Sequence, residues 1–286
     1  MLHVAGGIVP AEVQEKKLNG DMFLSRLVDI CTPNKDVPHT SMIFIVGVWL
    51  VLTFYYWIQW TSPIIPKPME IWTAFKHLWF EEGLVYELMA SMKTNAIALV
   101  FTAVISLGLS YLTVLPFMRP VVAFVANLRF QGLTGLVLLF TLVFSGGQPL
   151  KVSLLVFGMT VFFVMAMADE IKNIPESHLD HARTLGMNEW EVVWEVIILG
   201  RAHIAWQIFR QNAAMGWMML TMVEGISRSG GGVGAMLLDD RKHFNYAAVF
   251  AIQFVVLVVG MIQDFGFGAV GNILFPYAVK SQERRA

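Results

Sequence analysis

The sequence predicts an all-α membrane protein of about six transmembrane helices, with one ordered polar helix–turn–helix held at the membrane surface. Three observations predict it. The 286 residues are 56% hydrophobic and only 14% charged, against roughly 25% charged in a soluble domain. The charges are absent from long runs: Met42–Trp60, Thr94–Met118, Phe130–Leu150, Val152–Ala168 and Phe244–Gln263 carry none. A helix needs about 20 apolar residues to cross the hydrocarbon core. Between two of these runs lies HLDHARTLGMNEWEVVWEVI, residues 178–197, amphipathic and rich in charge.

The elements follow in order. Residues 1–40 form a cytoplasmic lead-in, either an amphipathic helix lying on the membrane or a loosely ordered tail. CTPNKDVPHTS breaks the chain before a first span at about 41–60, which ends in the interfacial aromatic cluster YYWIQW. The apolar run starts too late for a cleaved signal peptide. After the proline-rich TSPIIPKP, MEIWTAFKHLWFEEG makes a short helix too charged to span. A second span runs over about 88–114 and stops at LPFMRP. NLRFQG interrupts the next apolar segment, giving a short helix and a third span near 131–145. SGGQP turns the chain into a fourth span at about 150–169. The polar segment follows, then a fifth span near 203–225. The glycine-rich SRSGGGVG and a short segment ending in DDRKH lead to a sixth span at about 246–267. The transmembrane domain is thus 41–280, with residues 281–286 as a cytoplasmic tail.

Lys and Arg orient the bundle. With the N-terminus inside, the inner segments hold twelve of them and the outer segments six, as the positive-inside rule requires. The polar segment then faces the cytoplasm. It is too long for a plain connector and has internal order. Pro175 suits a first helical turn. Leu179, Ala182 and Leu185 share one helical face. Gly186 can adopt the left-handed conformation that ends a helix, and Asn188 can cap the next. Glu189 and Glu191 suit that helix's positive end, while Val192, Val193, Val196 and Ile197 lead back towards lipid. The expected product is helix, glycine turn, helix over 175–197, with Ala182 small enough for another protein's backbone to approach.

This segment resembles the signature of permease subunits of bacterial ABC importers: Glu-Ala-Ala, three residues, Gly, nine residues, Ile-x-Leu-Pro. Asp180, His181 and Ala182 stand at Glu-Ala-Ala, Gly186 has the right spacing, and Val196-Ile197-Ile198-Leu199 closes the pattern. HARTLG and EVVWEVIIL resemble the nitrate, sulfonate and taurine branch, and the likeness extends from about Ile64 to Phe275, through IIPKPMEIW, NLRFQGLTGLVLLF and the residues around Arg210, Trp217, Glu224 and Gly234. Asp at 180, His at 181 and Leu at 199 depart from the signature; His181, bulkier than Ala, alters the fit to a partner. The resemblance implies a type I ABC importer permease fold and a role in forming a translocation pathway for a small solute, an anion such as nitrate, sulfonate or taurine in that branch. It implies a bacterial inner-membrane location, two ATPase subunits that bind ATP and Mg, a second permease subunit (an identical or a different chain) and an extracytoplasmic solute-binding protein. Leu179, Asp180, His181, Ala182, Gly186 and Asn188 would form the coupling element.

Other classes are disfavoured. A net charge of −1 argues against a nucleic-acid binder. One cysteine, Cys31, forbids an intramolecular disulfide, and scattered Met is ordinary gap-filler. The chain has no G-x-x-x-x-G-K-[ST] loop, and SGGGVG at 229–234 lacks the following Lys, so the chain is not itself the ATPase and carries no cofactor of its own. Within the spans, Arg210, Asn212, Trp217 and Glu224 are pathway candidates, because an ionisable side chain in a span usually faces protein or water. Arg210 with Asn212 can equally brace the bundle. A stand-alone secondary transporter or channel is the alternative, although no internal repeat is visible.

Overall fold

A computed structural model describes residues 39–59, 64–144, 146–227 and 230–277. The expected helix in the lead-in, Cys31 and the tail lie outside them. The chain divides into two units, residues 1–62 and 63–286, treated separately below. In the first unit α1 spans His39–Gln59, an apolar helix whose length matches the expected first span.

The second unit begins with α2 (Pro68–Phe80), started by Pro68 and by Glu70, whose carboxylate accepts the Lys67 N–H at 3.0 Å. The long helix α3 (Leu84–Tyr111) follows, then α4 (Arg119–Asn127) and α5 (Leu133–Val143). The helix α6 (Gly147–Lys172) precedes the polar segment, which forms α7 (Glu176–Thr184) and α8 (Glu189–Val192 continuing as a π-helical stretch, Val193–Leu199). The unit ends with α9 (Ala202–Ile226), α10 (Val233–Lys242) and α11 (Tyr246–Leu274). Every regular element among the described residues is helical. Among the described residues four helices are long and apolar enough to cross a membrane, and up to six crossings result if each of two bent pairs counts as one.

The third span differs from expectation. The α5 helix has eleven residues, about 16 Å at ~1.5 Å per residue, roughly half the hydrocarbon thickness. It meets the 116–130 stretch at 114°. The cause is the interruption read from NLRFQG: Leu128–Phe130 tightens into a 3-10 turn and Gly132 starts α5 afresh.

The centre of the unit is α6, packed against α3, α4, α5 and α9, while α11 packs on α2, α9 and α10. One apolar core joins Leu84, Leu88 and Leu99 with Leu154, Leu155, Met159, Trp217, Leu220 and Ile252. In lipid, burial brings no hydrophobic gain between helices, so close packing of small side chains decides the crossings. Gly158 and Gly216 supply it: a Cβ at either would stand 3.0 Å from the sulfur of Met219 or Met159, respectively. The α9–α11 contact works similarly, since a Cβ at Gly271 would stand 2.6 Å from Trp206 Nε1, whose N–H donates to the Phe267 carbonyl at 3.1 Å.

Candidate coupling elbow and translocation groove

The polar segment folds as a compact elbow. The α7 helix ends in a left-handed Gly186, φ +85°, with the Met187 N–H on the Ala182 carbonyl at 3.3 Å and the Gly186 N–H on the Arg183 carbonyl at 3.0 Å. This is the double bond pattern of a glycine-terminated helix. Asn188 then caps α8: its Oδ1 accepts from the Trp190 and Glu191 N–H groups at 3.1 and 3.0 Å, and Glu191 accepts the Asn188 N–H at 2.8 Å. Two N-terminal donors and the cap's own N–H are thereby satisfied.

A side-chain clamp crosses the glycine turn. Arg183 donates to both carboxylate oxygens of Glu189, at 2.9 and 3.1 Å, and to Asp180 at 2.9 Å. Hydrogen bonds to the carboxylates of Glu189 and Asp180 push the Arg183 guanidinium above its ordinary value, and Arg183 pulls the Glu189 carboxyl below its own. Nothing in the spacing of the segment singles out Arg183. Its role needed the turn geometry, which brings positions six apart together across Gly186.

The elbow's two feet are joined as well. Glu170, in the last turn of α6, pairs with Arg201 at the start of α9, at 3.2 Å. Above Arg201 the π-helical stretch passes into α9 with a 46° bend at Gly200, where a Cβ would stand 2.5 Å from the Val196 carbonyl oxygen.

Two expectations need correction. Ala182 is buried, 4% exposed, where α7 packs on α8, so it cannot receive another backbone. Leu185 is exposed instead of sharing the face of Leu179 and Ala182, because the helix ends before it. Val192 and Ile197, on the stretch that leads the chain back to α9, are buried in the protein. The outer surface of the elbow is formed by exposed Asp180, His181, Asn188, Trp190 and Trp194, with Leu179 half-buried.

The pathway candidates separate into two groups. Arg210 on α9 makes a two-point pair with Asp264 on α11, at 2.7 and 2.6 Å, and both side chains remain about two-fifths exposed. They line a groove of 770 Å³ between α9 and α11, with Trp217, Thr221, Gln253 and Gly260 among its walls. Gly268 allows the arginine to lie there, since a Cβ would stand 3.0 Å from its Nη1. The Trp217 N–H donates to Gln263 at 2.9 Å, and Gln263 also accepts from Asn95 on α3 at 3.1 Å.

Asn212 and Glu224 do not face that groove. Asn212 is buried and donates to the Met159 carbonyl at 2.8 Å. Glu224 is buried beneath the glycine loop, where it accepts from the Ser91 hydroxyl at 2.8 Å and the Gly234 N–H at 3.0 Å. They are bracing groups because α9 packs on α6 at one level and on α10 at another. Glu87 accepts the Gly232 N–H of the same loop, and buried Lys151 donates to the Gly231 carbonyl. Two of the loop's amides, Gly232 and Gly234, therefore face carboxylates, which would repel a phosphate. No spacing signal in the sequence ties Lys151 to a loop 80 residues away.

No protein-family profile matches the chain, and no curated protein matches it in sequence. In solved structures it is similar to a chain of the MetNI methionine ABC transporter in inward-facing conformations. One crystal form gives a TM-score of 0.56 at 16% identity over 69% of this chain and 97% of that one. A selenomethionine-soaked form gives 0.56 at 15% identity over the same shares. The likeness shows the fold: an all-helical architecture shared with that MetNI chain, carrying helices long and apolar enough to cross a membrane.

Proposed function

We propose that this chain is the transmembrane permease subunit of an ATP-driven ABC importer, set in a bacterial inner membrane with both termini cytoplasmic. The observation that carries the reading is the elbow. A glycine turn, a reciprocal cap, an arginine clamp and paired feet make residues 170–201 one stiff piece, attached directly to α6 and α9. The shared fold with the MetNI chain supports the same reading. ATPase subunits, holding ATP and Mg, dock on Asp180, His181 and Asn188 and push the elbow. The force reaches α9 and so the groove carrying Arg210 and Trp217. A second permease subunit, identical or different, completes the pathway, and an extracytoplasmic solute-binding protein delivers the solute.

For the solute, the paired charge in the groove weighs more than Arg210 alone. Asp264 compensates the arginine, which favours a small molecule bearing both signs, as taurine does, over a simple anion such as nitrate. The discriminating experiment is purification of the full chain from its native membrane, with the bound ATPase identified, together with uptake by a Gly186→Pro variant. Co-purification of an ATPase, with uptake abolished in a variant that still inserts, supports the proposal. Undiminished uptake, or no associated ATPase, overturns it in favour of a stand-alone transporter or channel.

A further inference from the structure

On the end of the bundle that carries the elbow, a second cavity of 550 Å³ is lined by Arg119, Arg129, Lys172, Asp169, Val122 and Met165, among others. The three cations converge from α4, the 3-10 turn after it and the last turn of α6. With one carboxylate present, three positive and one negative give the cavity a charge of +2. Among the described residues none of the three cations has an acidic partner. Arg119 donates to the Thr113 carbonyl at 3.3 Å, and Arg129 contacts the Met165 sulfur and lies 4.9 Å from the Phe130 ring centroid.

The surroundings are apolar in a way that suits lipid. The α4 helix has nine residues, too few to cross a membrane. It is anchored by Val122, which is buried with Val164 and Ala168 of α6. On the same stretch Phe117, Phe124 and Phe130 are all at least 64% exposed. A short helix with one anchored side, exposed aromatics and neighbouring cations lies along the membrane interface. Basic pockets between helix ends at that level hold phosphate-bearing headgroups, and arginine matches phosphate oxygens at two points.

We propose that this cavity binds the phosphate of an anionic phospholipid, with the three phenylalanines lying along its acyl chains. Free phosphate offers the same charge but has no use for the exposed aromatics. The proposal needs the chain to sit in a membrane and not that it transports.

The test is native mass spectrometry of the full chain in mild detergent, titrated with phosphatidylglycerol or phosphatidylcholine. The wild type should hold phosphatidylglycerol at least tenfold more tightly, and millimolar inorganic phosphate should not displace it. Arg119→Gln with Arg129→Gln should remove that preference; Arg241→Gln with Lys242→Gln, exposed charges on α10, should leave it intact. Should the double variant fail to fold, Lys172→Gln, an exposed side chain, should weaken the preference about threefold. Equal retention of the two lipids, displacement by phosphate, or an unchanged preference in the Arg119/Arg129 or Lys172 variants overturns the proposal.

Discussion

Arg210 and Asp264 show how a pair of residues can be both costly and useful. Either charge left alone in a span costs about 2.5–3.5 kcal/mol on insertion scales. Arg210→Gln or Asp264→Asn should therefore each lower thermal stability in detergent, whereas the double variant should recover most of the loss. A double-mutant cycle checks this: strictly additive losses would mean the pair contributes no coupling. Stability and transport should also come apart here, because the double variant keeps the packing but loses the groove's two charges. Glycine at 234 makes a second residue-scale case. A Cβ there would stand 2.2 Å from the Thr221 carbonyl oxygen and 2.9 Å from Glu224 Cβ. Gly234→Ala should destabilise the α9–α10 junction by about 1–3 kcal/mol, the usual range for overpacking, read as a lowered midpoint of thermal unfolding.

At the scale of the element, the elbow's stiffness has a pH signature. Arg183 holds the Glu189 carboxyl below its ordinary value, so the clamp's contribution is complete above that ordinary value and fades as pH falls through the depressed one. Spin labels at 178 and 194 should give a narrow distance distribution at neutral pH that broadens in acid; Arg183→Gln should be broad at both. An acid-insensitive narrow distribution would remove the clamp from the account. Gly186→Ala places a Cβ at φ +85°, a left-handed cost of about 1–2 kcal/mol, and should broaden the distribution without affecting insertion. The elbow was largely legible in the sequence because its signals are local: Pro175, Gly186 and Asn188 each act on neighbouring backbone. The clamp was not, since it depends on the direction of the chain after the turn. The burial of Ala182 was hidden for the same reason. A helical face read from spacing says which residues are together, not which neighbour covers them.

For the whole molecule, hydropathy located the long helices because α1, α3, α6 and α11 are each dominated by one long apolar run. For the third span it found the break at NLRFQG, but not the 114° bend there, which divides one apolar segment into the 116–130 stretch and the eleven-residue α5. The groove lay further from reach. The pairing of Asp264 with Arg210 across 54 positions follows from helix packing rather than from periodicity. Glu224 and Asn212 sit on the groove-bearing helix yet serve the packing of α6 and α10. On the proposed function, the elbow would meet an ATPase and movement would pass through α6 and α9 to the groove. The most direct measurement is photo-crosslinking in intact native membranes from an unnatural side chain at position 181, with position 243 on the α10 side as the comparison. The account predicts a crosslink from 181 to a protein bearing a G-x-x-x-x-G-K-[ST] loop, and none to it from 243. A crosslink to that ATPase from 243 alone, or none from 181 while transport persists, would contradict it.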